Sequence, residues 1–374
     1  MLRTARGNGR TTLCGLLAAT ALLSTVLSPA IASDACYNKM YVLDYIQRLV
    51  EVFDNDCGVH VGTFGPYEPD RATDLTFTPD GEYLIVCNGT LGRGGVGLYD
   101  PETGDFIRWL MTQPSTTVYL NCVAWGPNGK LYITATDTDN QDHGYVIEYD
   151  FDNGTSQTVI SGLRMIWGPA FSPDGHLFIS EPFNDLVREY VYNGTEWNEC
   201  DAPRSPLQVD YPVGITIGPD GHLYVARPYA NLVYEYALQG NPLQWTPVGP
   251  LPCETLSQVV GLDIGPDGML YMSCSTGDNV VKYDFETRTC EECIHYGAFS
   301  QPVAVAFRPF RDCNDNGVYD PEDIVSGYSQ DCNANGIPDE CDLAGDINGD
   351  GIVNIVDLAI LLANYGRRVY ECLP

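Results

Sequence analysis

Three short segments near the carboxyl end of the chain carry oxygen ligands at a spacing that suits a calcium ion. They read DCNDNGVYDPED (312–323), DCNANGIPDECD (331–342) and DINGDGIVNIVD (346–357). Each has Asp at position one, Asn at three, Asn or Asp at five, Gly at six, Asp or Asn at nine and Asp at twelve. In calcium loops the oxygens of these positions and the backbone carbonyl of position seven surround the ion, and the glycine permits the sharp turn.

Three such segments in succession predict Ca²⁺ as the cofactor of this tail. The predicted ligands are Asp312, Asn314, Asn316, Val318, Asp320, Asp323, Asp331, Asn333, Asn335, Ile337, Asp339, Asp342, Asp346, Asn348, Asp350, Ile352, Asn354 and Asp357. Because Asp at position twelve reaches less far than Glu, the expected affinity is the weak one of extracellular calcium modules.

The cysteines indicate structural bridges. The chain has 14 of them, and Cys290 and Cys293 form a CxxC pair. A redox CxxC belongs beside a βαβ pattern and a zinc ribbon needs a second CxxC, and the sequence shows neither. Cys87 and Cys122 are expected to meet on one face of the fold. The pairing stays open.

The elements that must position these groups follow from an internal repeat. GPDGHLYVARPYANLVYEY (218–236) has a near twin in SPDGHLFISEPFNDLVREY (172–190). The turn Pro-Asp/Asn-Gly recurs every 46 to 48 residues, at Pro79, Pro127, Pro173, Pro219 and Pro266. Alternating apolar residues flank each turn and predict a β-hairpin, and two further runs complete each period. Four strands per period of this length are typical of a propeller blade.

The two ends of the repeat region complete each other. A sixth copy, QPVAVAFRPF, stops at Phe310, whereas KMYVLDY, RLVEVFDND and VHVGTFG near the amino end resemble strands two to four of a blade without its first. Joining them in one blade removes the open sheet edges. We predict an all-β, six-bladed propeller of four-stranded blades over 33–310, closed by amino- and carboxyl-terminal strands. A small calcium-loop domain with one short helix (355–364) follows over 311–374.

The segment PVGITIGPDGHLYVARPYANLVYEY resembles the NHL repeat and, more broadly, the six-bladed propellers of the regucalcin/gluconolactonase lactonases, over residues 35–310. The resemblance implies that an Asn and an Asp at the starts of inner strands, with a Glu near the amino end, hold a divalent metal. Counting six residues back from each turn proline gives Thr73, Asn121, Trp167, Val213, Val260 and Val303. Only Asn121 fits that role, so the sequence predicts a mostly apolar channel mouth and no lactonase-type metal site.

Four polar residues remain as candidates for a ligand channel: Asp74, Asn121, Glu181 and Arg227. Glu181 and Arg227 end the second strands of neighbouring blades, where they either hold a substrate or form an ion pair across the blades, the interpretation we favour. His176 and His222 share one turn position and are interpreted as solvated loop residues. No constellation like the His/Glu metal site of streptogramin lyases is found.

The first 32 residues are typical of a secretory signal peptide. Arg3, Arg6 and Arg10 precede the apolar run LCGLLAATALLSTVL, and SPAIAS supplies a cleavage site after Ala32. A secreted or cell-surface protein without a transmembrane anchor in the mature chain is expected. The formal net charge of −31 argues against nucleic acid as a partner, which needs a basic surface.

The third calcium loop with its sequel, GDINGDGIVNIVDLAILLANYG, resembles one half of a type I dockerin. The first two loops are similar to Cys-containing calcium repeats in the tails of large secreted proteins of planctomycete-type bacteria. Dockerins often carry a Ser/Thr pair for their cohesin partner where this chain has Ile355 and Val356, which argues against cohesin as the partner.

Taken together, these features predict a secreted calcium-binding propeller that works as an extracellular binding or surface-attachment module. Its partner would be an extracellular protein or polysaccharide. The alternative is an enzyme: a lactonase-like hydrolase or lyase, or a component of polysaccharide degradation carried by a dockerin-like tail. A catalytic propeller should show an acid/base pair or a metal in its channel.

Overall fold

The computed structural model describes residues 39–53, 59–65, 71–90, 93–139, 143–295, 299–309, 320–330 and Pro338. Within them the chain forms six antiparallel sheets, five of four strands and one with a short fifth strand. The predicted signal peptide, the predicted helix over 355–364 and all predicted calcium ligands except Asp320 and Asp323 lie outside the described residues.

The blades follow one another in chain order, and blades 2 to 6 each begin with their innermost strand. Blade 1 contains β1 (Met40–Asp44), β2 (Leu49–Phe53) and β3 (His60–Phe64). Blade 2 contains β4 (Ala72–Phe77), β5 (Leu84–Asn88), β6 (Gly95–Tyr99) and β7 (Phe106–Thr112). Blade 3 contains β8 (Val118–Trp125), β9 (Leu131–Asp137), β10 (His143–Asp150) and β11 (Thr155–Leu163).

The second half of the ring repeats this plan. Blade 4 contains β12 (Pro169–Phe171), β13 (Leu177–Glu181), β14 (Leu186–Tyr192), β15 (Trp197–Glu199) and the short β16 (Leu207–Gln208), which pairs with β14. Blade 5 contains β17 (Ile215–Ile217), β18 (Leu223–Arg227), β19 (Leu232–Gln239) and β20 (Gln244–Pro250). Blade 6 contains β21 (Val259–Ile264), β22 (Leu270–Cys274), β23 (Asn279–Asp284) and β24 (Thr289–Ile294). Finally, β25 (Pro302–Phe307) is the inner strand of blade 1.

The repeated Pro-Asp/Asn-Gly turns join the first and second strands of blades 2 to 6, as the sequence predicts. Their glycines all have positive φ, from 70° at Gly81 to 89° at Gly175. A side chain at these positions would be strained, so the glycine is required by the turn. The inner strands of blades 2 to 6 end at these turns and begin at the opposite face of the ring.

The ring closes in blade 1, which confirms the predicted joining of the two ends. β25 lies antiparallel to β1, with Met40 opposite Phe307 and Leu43 opposite Ala304. The fully buried Asp44 completes the junction: one oxygen accepts hydrogen bonds from the backbone of residues 46 and 47, and the other accepts one of 2.6 Å from Ser300 N.

Apolar side chains between neighbouring blades form the core. One tyrosine recurs in the third strands of blades 2 to 6, and each copy is at most 6% exposed: Tyr99, Tyr149, Tyr190, Tyr236 and Tyr283. Their burial places them in the packing between blades. Burying an aromatic side chain of this size stabilises the fold by roughly 1.5–3 kcal/mol.

Beyond the propeller, the structure describes one short helix, α1 (Asp320–Ser326). It begins at position nine of the first predicted calcium loop, and both Asp320 and Asp323 are buried within it. The sequence did not predict this helix. In the described part of the chain, no helix is long and apolar enough to cross a membrane.

Candidate active site

The six inner strands surround a central channel with a cavity of about 260 Å³ open to water. The cavity is lined by residues 73–76, 122–125, 167–171, 214–216, 260–263, 303 and 305. Small residues keep the inner strands close together. A Cβ on Gly214 would lie 2.1 Å from the carbonyl oxygen of Val260, and one on Gly261 would lie 2.6 Å from that of Val303.

Asp74 occupies the place in blade 2 that these glycines occupy in blades 5 and 6, five residues before the turn proline. Its Oδ1 accepts a hydrogen bond of 2.9 Å from Leu75 N, and its Oδ2 accepts one of 2.9 Å from Val123 N in blade 3. The carboxyl group thus spans two blades. Burial raises the pKa of Asp74 to about 7, although these N–H donors favour the charged form.

Asp263 lies on the inner strand of blade 6, and β25 separates it from the strand of Asp74. Its Oδ1 accepts a hydrogen bond of 2.9 Å from Ile264 N. In the described part of the chain no donor bonds its other oxygen. Burial raises the pKa of Asp263 to about 7, although the hydrogen bond from Ile264 N lowers it, and the weaker effect of the Asp74 charge adds to the rise.

The two carboxyl groups line one channel, and the Asp74 charge contributes to the raised pKa of Asp263. Asp74 has the larger set of hydrogen-bond donors, including the Cys122 thiol, so charge is better stabilised on Asp74 than on Asp263. At about pH 7 each group is present in both its ionised and its protonated form. Such a pair can act as general base and general acid at the same time.

The mouth of the channel, where the inner strands begin, is aromatic. Tyr45, Tyr119, Trp167, Tyr211 and Tyr229 line it, and the ring centroids of Tyr211 and Tyr229 are 4.5 Å apart. Val260 and Val303 also line this cavity, as the residue count predicts for an apolar mouth, and Thr73, Gln258, Ser275 and Gln301 add neutral polar groups. All described lining residues of the mouth are uncharged.

Of the four predicted channel candidates, only Asp74 lines the channel cavity. Asn121 is 3% exposed, and its amide donates to Thr136 Oγ1 and Ile166 O, which leaves it a structural residue of blade 3.

The predicted ion pair between Glu181 and Arg227 is wrong. Glu181 binds Arg188 in its own blade at 2.8 Å, and Arg227 binds Asp210 at 2.7 Å. Each charge is paired by a partner close in sequence, so the two blades are not joined by these residues.

His176 and His222 each lie against a glutamate, a contact that the sequence did not predict. His176 Nδ1 lies 2.7 Å from Glu189 Oε1, and His222 Nδ1 lies 2.7 Å from Glu235 Oε1. Both histidines lie in loops with side chains 17% and 33% exposed, and each is paired with a buried glutamate. The available signal was the common separation of 13 residues between histidine and glutamate in two successive blades.

The cysteines of the propeller divide into bonded and free thiols. Cys290 forms a disulfide with Cys253, and Cys293 is also disulfide-bonded, in agreement with a structural role. Cys87 and Cys122 are both buried and free, and they lie close enough to interact electrostatically, so they meet without a bridge. Burial raises the pKa of the Cys122 thiol well above its ordinary value.

The described residues that line the channel do not provide a ligand set for a divalent metal of the lactonase type. In the described residues, groups of three or more ligating side chains occur only around His176 and His222, outside the channel. Asn121, the residue that fits the expected ligand position, is buried and does not line the channel cavity. Two carboxyl groups with no third ligand fall short of the oxygen-rich set that hard cations take.

Six antiparallel blades around a channel with a pair of carboxyl groups define a six-bladed β-propeller with an acidic central cavity. The chain belongs to the SMP-30/gluconolactonase/LRE-like family, whose model matches residues 37–276. No curated protein matches the sequence.

Solved structures share the fold at low sequence identity. A protein of unknown function from Bacteroides caccae is 11% identical, with a TM-score of 0.54 over 73% of this chain and 99% of its own. A chain of a nidogen/laminin complex is 13% identical, with a TM-score of 0.56 over 73% and 98%. A protein provisionally identified as a 6-phosphogluconolactonase from Bacteroides uniformis is 16% identical, with a TM-score of 0.52 over 72% and 99%.

Proposed function

We propose that the propeller is a hydrolase of lactonase type whose central channel binds a small cyclic ester. The observation that carries this proposal is the pair Asp74 and Asp263, two carboxyl groups in one channel with pKa values of about 7. Perturbed acids in a cleft are typical of catalytic sites. Membership of the gluconolactonase family supports the same class of reaction.

The chemistry assigned to the pair is acid/base hydrolysis. The Asp74 carboxylate takes a proton from a water molecule as the water oxygen bonds to the lactone carbonyl carbon. Asp263 then gives its proton to the ring oxygen as the carbon–oxygen bond breaks, so the product is an open hydroxy acid. Each proton transfer of this kind contributes roughly 10²–10⁴-fold to a rate.

The mouth fits a small, uncharged ring as substrate. Aromatic faces pack against the apolar side of such a ring, while the amides of Gln258 and Gln301 can bond its polar groups. Two acids below the mouth repel an anion, so phosphorylated substrates are disfavoured.

The test is hydrolysis of a panel of neutral lactones, followed by pH titration of released acid. The wild-type protein should show a bell-shaped kcat profile centred near pH 7, because one acid must be ionised and the other protonated. The variant Asp263→Asn should lose at least about 100-fold in kcat. Glu286→Gln is the matched control, an exposed acid in a turn of the same blade, and should keep full activity.

Two results would contradict the proposal. Hydrolysis that is unchanged in Asp263→Asn would remove the carboxyl pair from the mechanism. If a chelator abolishes activity and added metal restores it, the protein is still a hydrolase but the acid/base mechanism is wrong. If no lactone is hydrolysed, the propeller is better described by the binding role.

The tail supports a separate proposal, that it binds Ca²⁺ through the three predicted loops. The two predicted ligands in the described residues, Asp320 and Asp323, are 1% and 0% exposed, as side chains around an enclosed ion are. Calcium titration of the full chain and of Asp323→Asn measures this. If the variant binds one calcium ion fewer than wild type, the result supports calcium binding by the first loop. If both bind the same number of ions, the first loop is not a calcium site.

A further inference from the structure

The two histidine clusters outside the channel occupy equivalent places in blades 4 and 5. In each blade, histidine follows the Pro-Asp-Gly turn and faces a glutamate of the third strand. The same two places in blade 3 hold Lys130 and Glu148, an ion pair of 3.2 Å. Three blades therefore have a charge pair at this position, which by itself indicates no further function. A further function requires additional groups in blade 4 or blade 5.

Blade 5 adds a second carboxylate on the same ring nitrogen. His222 Nδ1 lies 2.7 Å from Glu235 Oε1 and 3.4 Å from Asp220 Oδ2. One nitrogen and two oxygens thus converge, each offered by a different side chain. Ligand atoms bound to one Zn²⁺ at roughly 2.0–2.2 Å are about 3 Å apart, close to these separations.

Neighbouring residues also donate hydrogen bonds to the two carboxylates. Glu235 Oε2 accepts a hydrogen bond of 2.7 Å from Arg288 in blade 6, which leaves Oε1 for the cluster. Asp220 Oδ2 also accepts one of 2.7 Å from the buried Tyr224 hydroxyl. Outer partners of this kind orient metal ligands and fix their charge.

Charge and access also suit a cation. The Glu235 carboxyl is bonded to the Arg288 guanidinium through Oε2 and to His222 through Oε1, and Asp220 adds a second carboxyl group. The side chains of His222 and Asp220 are 33% and 32% exposed, whereas that of Glu235 is 1% exposed. An ion can reach the cluster from solvent without unfolding the blade.

Blade 4 shows what a closed version of the same cluster looks like. Arg204 donates to both oxygens of Glu189, at 2.9 and 2.8 Å, and Trp245 Nε1 donates to Oε2 at 2.8 Å. The same guanidinium lies 3.3 Å from His176 Nδ1. Burial raises the pKa of the third potential ligand, the Cys200 thiol, to about 11, so it stays protonated. A cation would have to displace a guanidinium here.

We infer that Asp220, His222 and Glu235 form a binding site for a divalent cation of the zinc type. The inner strands begin at the aromatic mouth and end at the turns, so this site is on the opposite face of the ring from the mouth. The ion would tie the turn of blade 5 to strand β19 and, through Arg288, to blade 6. Its role is structural, and it is independent of hydrolysis in the channel.

The test is titration of the full chain with Zn²⁺ in excess Ca²⁺, which occupies sites made only of oxygen ligands. Wild type and His222→Asn are compared with His176→Asn, the matched change in blade 4. We expect His222→Asn to bind one zinc ion fewer than wild type, or to bind it at least tenfold more weakly. His176→Asn should match wild type. Co²⁺ absorption should show the same difference.

The inference is overturned if His222→Asn takes up as much zinc as wild type with equal affinity, or if wild type takes up none. Loss of zinc in His176→Asn would also overturn it, since the closed cluster would then be the ligand set. Asp220→Asn, a change of an exposed turn residue, is a second variant in case His222→Asn does not fold. It should weaken zinc binding at least tenfold while the melting temperature without zinc is unchanged.

Discussion

The channel acids Asp74 and Asp263 are half-buried in a cavity open to water. Glu189 and Glu235, which we call the rim acids because they lie near the turn face of the ring, are fully buried, and the two sets differ in what surrounds them. Glu189 and Glu235 on the rim are each bonded to an arginine and a histidine. Asp74 and Asp263 in the channel have only backbone N–H groups and a thiol, and burial raises the pKa of each to about 7. A buried carboxylate is stabilised by an adjacent cation. Without a cation the carboxylate raises the free energy of the folded state, and its raised pKa can serve catalysis.

The largest effect is expected where a rim acid loses its cation. Arg204→Ala leaves the buried Glu189 with only Trp245 and His176 as polar side-chain partners. We expect a loss of about 2–4 kcal/mol in the free energy of unfolding, measured by urea denaturation. The double variant Arg204→Ala with Glu189→Gln should recover much of this loss. A loss below about 1 kcal/mol in the single variant would show that the rim acid does not depend on its arginine.

A smaller effect, an increase in the free energy of unfolding, is expected when a channel acid loses its charge. The pKa of Asp263 is about 7 in the folded chain against an ordinary value of 3.8, so the folded state binds more protons between these values. Stability therefore falls as the pH rises from about 4 to about 7.

Asp263→Asn removes that cost. The variant should be more stable than wild type by about 1–3 kcal/mol at pH 8, allowing for solvent in the channel. The difference should disappear near pH 4. Urea denaturation at both pH values measures it, and a variant that is less stable than wild type at pH 8 would contradict the assigned pKa.

The smallest effect is expected for an acid that is paired but exposed. Glu102 accepts hydrogen bonds from Lys39 at 2.9 Å and from Arg308, both in or beside blade 1, and its side chain is 54% exposed. Glu102→Gln should cost less than about 1 kcal/mol because water and salt screen the pair. The cost should shrink further in 1 M salt. A large loss in the free energy of unfolding that does not depend on salt would mean that burial does not explain the difference between exposed and buried acids.

The sequence predicted the blades well because their signals are local. The Pro-Asp/Asn-Gly turn needs a glycine at positive φ, and the alternation of apolar residues around it gives the hairpin. Ring closure also followed from the residues, since one end lacked a first strand and the other end supplied it.

The channel was predicted only in part, because the inner strands are irregular. Counting six residues back from the turn proline placed Val260 and Val303 at the mouth correctly. Asp263 was missed because the register of β21 shifts between Val259 and Leu262, so regular alternation does not tell which side chain enters the cavity. A similar shift precedes Asp74 in β4.

The partners of the charged residues also could not be predicted from the sequence. Glu181 and Arg227 end equivalent strands, which suggested a pair across blades, but Arg188 and Asp210 lie nearer to them. A single sequence gives the sign of a charge and not its distance to competing partners. The His222 cluster was missed for the same reason, since its three ligands meet only when turn and third strand are in place.

The pairing of β1 with β25 sets the timing of folding during translation. Residues Met40 and Phe307 pair directly, so β1 has no inner neighbour until nearly the whole propeller has been made. At a synthesis rate of 5–20 residues per second this wait is on the order of ten seconds to a minute. During that time the edge of blade 1 is open to other chains or to chaperones. A chain whose translation stops before Pro302 would retain that open edge permanently.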